Sequence, residues 1–469
     1  MSIFTRVKGW FSVLLQNKAR EEFNIEPIGS EQMDAWISEC VDIYQGNPCW
    51  LDTDDHIDTV NFAKAICTET ARLATLGIGI HVDGSARADW LQGQIDRAYF
   101  KLRHWLEYGC AYGTIILKPN GDTIDLYTRR QFEVTHTTNG EIDGAIFFHQ
   151  VKSGQKWYTR LEYHRFESGL YMISNKCYVG KTPDDSRTRI DIALTPWADL
   201  AEEVAVENME RPLFGVFRTP HANNIDLNSP FGLPIFSEAV QELRDLDIAY
   251  SRNAKEIVDS KRTVLLDSDT MIDSGARLAN TAYAWEARRS QLGLPDMVKN
   301  VTGDGQKVFY QEINPTLQTD TRLKGINALL SQIGYKTGFS NGYFVFNESS
   351  GIQTATQVEA EQQRTIQFIK DVRDKLEDCL NGLIYALNVF ADLYDMAPVG
   401  TYEVVYDFSD ITYSFEEERA HHYQLAIQGH YPWEEYYVRF LGYPREEAQQ
   451  LLAMAKKEQK SPTLFGGEE

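Results

Sequence analysis

From Pro234 to Lys261 the chain runs for 28 residues with no glycine and no further proline. At 1.5 Å per residue this stretch predicts a helical rod of about 40 Å, longer than an ordinary globular helix. Ile235, Ala239, Leu243, Leu246, Tyr250, Ala254 and Ile257 give it one apolar stripe, while Glu238, Glu242, Asp245, Arg252 and Lys255 cover other faces. Two further helical stretches follow. Gln318 to Lys336 aligns Leu323, Ile326, Leu329, Leu330 and Ile333, and Val358 to about Tyr394 is preceded by Thr354 and Gln357 at capping-box spacing.

Ahead of the rods the pattern is different. Residues from Glu31 to about Arg103 are helical in period, with Trp36, Ile37, Cys40, Val41 and Tyr44 on one face and Val60, Ala63, Ile66 and Cys67 on another. Near Gly113 the chain changes to short apolar or alternating runs. Asn120-Gly121, Asn139-Gly140, Ser153-Gly154 and Ser168-Gly169 punctuate them, which predicts an antiparallel meander and a mixed α+β region up to Ile225. Between the first two rods, Arg262 to Pro315 reads as a compact insert with strands at Thr263 to Leu266 and Val308 to Tyr310. After Lys336 comes a loop rich in glycine, asparagine and aromatics. Thr401 to Tyr406 returns to strand, Phe415 to about Glu458 is helical with a turn at Gly442 to Pro444, and the last residues read as a tail.

With 469 residues the chain exceeds the size at which one core keeps growing, so two or more regions are expected. Its 46 Lys and Arg against 68 Asp and Glu give a net charge of −22, the wrong sign for gripping a phosphate backbone. Repulsion of that kind suits DNA that slides past. Six cysteines without a CxxC pair indicate neither a disulfide framework nor a zinc ribbon, and read as reduced thiols of a cytoplasmic protein. Ile3, Val7, Phe11, Leu14 and Leu15 make the N-terminus an amphipathic helix, read as docking on a protein surface rather than on a membrane, and no segment reaches 18 uninterrupted apolar residues.

Catalytic patterns are sparse. Gly180-Lys181-Thr182 ends like a phosphate-binding loop, but Asn175 stands where the upstream glycine belongs, so the segment reads as a turn. His421, His422 and His430 lack acidic partners at metal-ligand spacing. Glu416, Glu417 and Glu418 point in different directions around a helix and read as a solvated first turn. Asp259-Ser260-Lys261 matches half of a nuclease carboxylate cluster, a match too short to be specific. No catalytic residue, metal ligand or cofactor is assigned.

The order α+β region, long helix, small β-containing insert, second helix, aromatic loop and third long helix resembles the portal proteins of long-tailed bacteriophages. Asn228 to Leu266 and Gly351 to Asn388 match best, and Thr354-Ala355-Thr356-Gln357-Val358 looks like that family's TATEV signature with Gln in place of Glu. The resemblance runs in order from Glu31 to Ala455. It implies an N-terminal amphipathic helix (1–30), an α+β wing (31–233), a first stem helix (234–261), a small α/β clip (262–315) and a second stem helix (316–336). A tunnel loop (337–353), a long helix with a strand returning to the wing (354–408), a helical crown (409–458) and a flexible tail (459–469) would follow.

The resemblance also implies a non-enzymatic subunit of a homododecameric ring at the capsid vertex of the virion, assembled in the host cytoplasm. Its partners would be the terminase large subunit, the major capsid and scaffold proteins, the head-tail adaptor and double-stranded DNA in the channel, with no membrane. Phe339, Asn341, Tyr343, Phe344, Phe346 and Asn347 would face that channel, and Lys324 and Lys336 would give it a sparse basic lining. Two alternatives stand beside these readings: the loop aromatics fill a helix-helix corner, and the chain is a metal-dependent phage nuclease.

Overall fold

The computed structural model describes residues 15–51, 56–121, 123–183, 185, 188–260, 263–267, 297–301, 310–313, 317–345, 355–408, 422–428, 431–441 and 451–452. The fold is mixed α+β with several sheets. The chain divides into a large unit, Met1–Thr75 with Ile80–Val405, and a small one, Leu76–Gly79 with Tyr406–Glu469.

The large unit opens with helix α1 (15–23), then α2 (Glu31–Tyr44) and α3 (Phe62–Ala74). Ser30 caps α2 by accepting from the Met33 amide, as its position before an amphipathic run favours. Strand β1 (Gly79–Asp83) leads into α4 (Ala86–Tyr112), which stops at Gly113 with φ 77. Strands β2 (Thr114–Asn120), β3 (Thr123–Thr128), β4 (Phe132–Thr138), β5 (Glu141–Ser153), β6 (Lys156–Glu167), β7 (Leu170–Gly180), β8 (Thr188–Ile190), β9 (Glu203–Val206) and β10 (Gly215–Arg218) follow.

All four dipeptides read as turns join consecutive antiparallel strands. Asn139 and Gly140 (φ 55 and 81) and Ser168 and Gly169 (φ 52 and 82) adopt left-handed backbone, the geometry that matches strand twist in two-residue hairpin loops. The strands form two sheets, ordered β10-β2-β3 and β4-β5-β6-β7-β8, with β9 also on β7. One face of the larger sheet offers Ile146, Phe148, Leu161 and Tyr178 to Leu15 and Ala19 of α1. On the other face Ala145 and Phe147 join Met33, Ile37 and Val41 of α2 and Ile116 of β2 in the main core. The described end of the N-terminal helix thus docks on its own sheet; Ile3, Val7, Phe11 and Leu14 lie outside the described residues.

Helix α5 (Val240–Asp259) starts six residues later than the sequence period predicts. The reason is local. Ile235 gives its amide to Cys110 O at 3.0 Å, and Ser237–Ala239 closes a 3-10 turn, so 234–239 is pinned to the end of α4 before the rod begins. Strands β11 (Thr263–Asp267), β12 (Met297–Val301) and β13 (Tyr310–Ile313) form a separate sheet, with β12 parallel and β13 antiparallel to β11. The sequence MVKNV of β12 lacks alternation, which hid it; Val308 and Phe309 lie outside the described residues.

Helix α6 (Thr319–Lys336) returns antiparallel along α5. Arg322 pairs with Glu256 at one end and Lys336 with Glu242, at 2.6 Å, at the other. Helix α7 (Ala355–Leu393) packs on β10, β2, α3 and α4. It lies so close to β10 that a Cβ on Gly215 would stand 2.0 Å from Cys379 O. Strand β14 (Glu403–Asp407) follows.

The described part of the small unit holds a helical turn at 422–427 and helix α8 (Trp433–Leu441). His422 rests on Tyr431 and Phe440, and Tyr423 on Trp433 and Tyr436. Glu416, Glu417, Glu418, His421, His430 and the turn expected at 442–444 lie outside the described residues.

Candidate functional site

The segment after α6 turns sharply because Gly338 takes φ 89 and the Phe339 amide donates back to Gly334 O at 2.9 Å. This left-handed stop sends Phe339 into the protein, where it is 0% exposed. Its ring meets Phe344 at 4.8 Å, Tyr343 at 4.9 Å and Phe368 of α7 at 5.7 Å, and Phe344 meets Phe62 of α3 at 5.2 Å. Tyr343 donates its hydroxyl to Glu69, which Arg72 grips with Nε at 2.8 Å and Nη2 at 2.7 Å. The Arg72 fork, helped by Tyr343, holds Glu69 below the ordinary carboxylate range. Ser340 and Thr365 close the corner through a 2.8 Å bond from the Ser340 amide.

Residues 337–345 therefore form a packed helix-helix corner. Phe339 is buried in this corner and Tyr343 and Phe344 are half-buried, Asn341 is exposed beside Ser331, and Phe346 and Asn347 lie outside the described residues. Lys324 is exposed on α6. Lys336 pairs with Glu242 and also donates to Glu238 O at 3.1 Å, so its charge is answered within the chain.

The enzyme-like motifs find no support in geometry. Gly180 ends strand β7 and precedes a turn, and Asn175 pairs with Glu162 in the sheet. Lys261 lies outside the described residues, as does the Asp259 side chain. Among the described residues no three His, Cys, Asp or Glu side chains are grouped to hold a metal ion. Among them too, no helix is long and apolar enough to cross a membrane.

A second polar constellation escaped the sequence reading. Arg160, Glu162 and His164 alternate along β6 and share one face of the sheet. Glu162 sits at the centre. Lys118 Nζ approaches its carboxylate oxygens at 2.9 and 3.1 Å, His149 Nε2 at 2.7 Å, His164 Nε2 at 2.9 Å and Arg160 Nη2 at 3.2 Å. His164 Nδ1 lies 3.0 Å from the Tyr171 hydroxyl, which accepts the Leu213 amide at 2.9 Å. A hydroxyl proton given to His164 Nδ1 with Nε2–H turned to Glu162 makes the neutral imidazole, the form that burial favours. Burial drives both His149 and His164 below their ordinary range. Burial works against the Glu162 anion, yet Lys118 and Arg160 hold it well below the carboxylate range. The signal was present in the sequence as the run Arg-Leu-Glu-Tyr-His, three polar residues at period two with Leu161 and Tyr163 between them.

No protein-family model matches the sequence, and no curated protein is significantly similar to it.

Proposed function

We propose that this chain is a ring-forming portal subunit of a tailed phage, a conduit for DNA rather than an enzyme. The observation that carries this reading is the uncovered half of the α5 stripe. Leu243 and Leu246 are buried, but further along the same rod Tyr250 and Ile257 are each 52% exposed, and Ala254 is open as well. Val258 beside them is 62% exposed. An amphipathic face is maintained in sequence yet left in water by the single chain, which is the property of a subunit surface that a second copy covers. The antiparallel α5–α6 pair, with the β11-β12-β13 sheet inserted between the two helices, supports a stem-and-clip division.

In this reading α1 is the N-terminal helix, the α2–α4 and β2–β10 region the wing, α5 and α6 the stem, α7 the long helix, and 409–458 the crown. Terminase, capsid and scaffold proteins and the head-tail adaptor are the expected partners. The net charge of −22, multiplied around a ring, keeps passing DNA from adhering.

The test is native mass with negative-stain imaging of the purified chain and of a doubly substituted Ile257→Asp, Val258→Asp variant. The expected result is a closed ring with a duplex-wide hole for the parent and a folded monomer for the variant. A variant that assembles like the parent removes the α5 stripe from the interface and with it this reading.

A further inference from the structure

The Glu162 cluster borders a cavity of about 290 Å³. Its floor is polar: Lys118, Arg160, Glu162, His164 and Asn175. Ile173 and Val204 lie beside His164 on the same face of the sheet, and Leu213 with Ala386, Phe390 and Leu393 of α7 completes an apolar lining. Asn120, Gly121, Asp199 and Tyr394, all exposed, border it on the solvent side.

Charge does not balance on the floor. Lys118 and Arg160, both buried, face the single carboxylate of Glu162, while the other carboxylate of the lining, Asp199, is exposed at the rim, so the deep end carries one positive charge in excess. Such a charge is costly unless a counter-ion offsets it. Lys118 directs its contacts to Glu162 and to Pro119 O at 3.4 Å. Arg160 is different. At 3% exposed it uses Nη1 on Asn175 at 3.3 Å and Nη2 on Glu162, stacks at 5.3 Å on Trp197, and leaves Nε without a partner among the described residues. A guanidinium carries five donors, so this one has capacity left over. Asp199 at the rim repels an anion at the mouth, which favours the deep end.

We propose that this cavity binds a small aliphatic carboxylate, its head group on Arg160 and its hydrocarbon chain along Ala386, Phe390 and Leu393 of α7. The site is independent of ring formation, and it belongs to a single subunit.

Sodium octanoate is the probe, with 1-octanol and inorganic phosphate as controls, read as the melting temperature of the full chain over a concentration series. Octanoate is expected to raise Tm saturably, on the order of 2 °C or more, and the two controls to leave it unchanged. Arg160→Gln and Ala386→Leu, the second filling the cavity without touching the charges, are each expected to abolish the shift. An octanoate-insensitive parent overturns the proposal, and so does an equal shift from octanol or phosphate, or an Ala386→Leu protein that responds like the parent. Should Arg160→Gln fail to fold, Ala386→Leu decides alone.

Discussion

Glu162 takes donors from two cations and two imidazoles on two oxygens, so replacing it removes the only anion in the cluster. Glu162→Gln is expected to cost about 3–5 kcal/mol, because Lys118 and Arg160 are then buried without a counter-charge; urea unfolding with an unchanged slope and a lowered midpoint is the readout. The two histidines set a pH dependence of definite sign. Their folded pKa values lie below the ordinary one because burial disfavours the imidazolium, and His221, stacked on Phe368, shifts the same way. The unfolded chain then binds more protons than the folded one below about pH 6.5. Stability from these residues is complete above that pH and lost as pH falls through it. Glu162 adds a second loss lower down, as pH drops from the ordinary carboxylate value toward its depressed folded one. Tm is expected to be flat from roughly pH 8 to 7 and to fall below about 6.5; a Tm that rises on acidification through that window contradicts the neutral assignment.

At the scale of elements, the corner after α6 depends on one backbone angle. A Cβ on Gly338 would sit 2.6 Å from Phe368 Cγ, at a φ that side chains disfavour. Gly338→Ala and Phe339→Ala are each expected to destabilise, the latter by about 3–5 kcal/mol as a ring-sized cavity opens between α6 and α7, measurable by chemical denaturation. Much of this level was legible in advance. The hairpin dipeptides located four connections, and the period of Gln318 to Lys336 located α6 within one residue, because turn chemistry and helical period are local. The start of α5 was not legible, since the Ile235 amide is claimed by Cys110, more than a hundred positions away. For Phe339, Tyr343 and Phe344 the sequence left two readings open. The contacts they make within the chain, with Phe62, Glu69 and Phe368, come from α3 and α7 and could not be read locally. The Glu162 cluster was missed for a related reason: its period-two signal sits on β6, but its meaning depends on Lys118 and His149 from β2 and β5.

For the whole molecule, the proposed assembly through α5 predicts a dependence on concentration, since Tyr250, Ile257 and Val258 are exposed in the single chain. Diluting the parent protein is expected to lower its Tm, whereas the Ile257→Asp, Val258→Asp variant should melt at one temperature over the same range. The crossing of α7 over β10 has a different reach. The two elements touch at Gly215 and Cys379, so while Gly109 of α4 already covers Phe217 and Ile115 on that face, the part of β10 under α7 stays open until more than 150 further residues have been made. At ribosomal speeds that is an interval of about 10–30 s. During it the nascent α+β region presents the strand surface meant for α7 to the cell, so the order of synthesis, and not only the final sequence, bears on how much of this protein escapes aggregation.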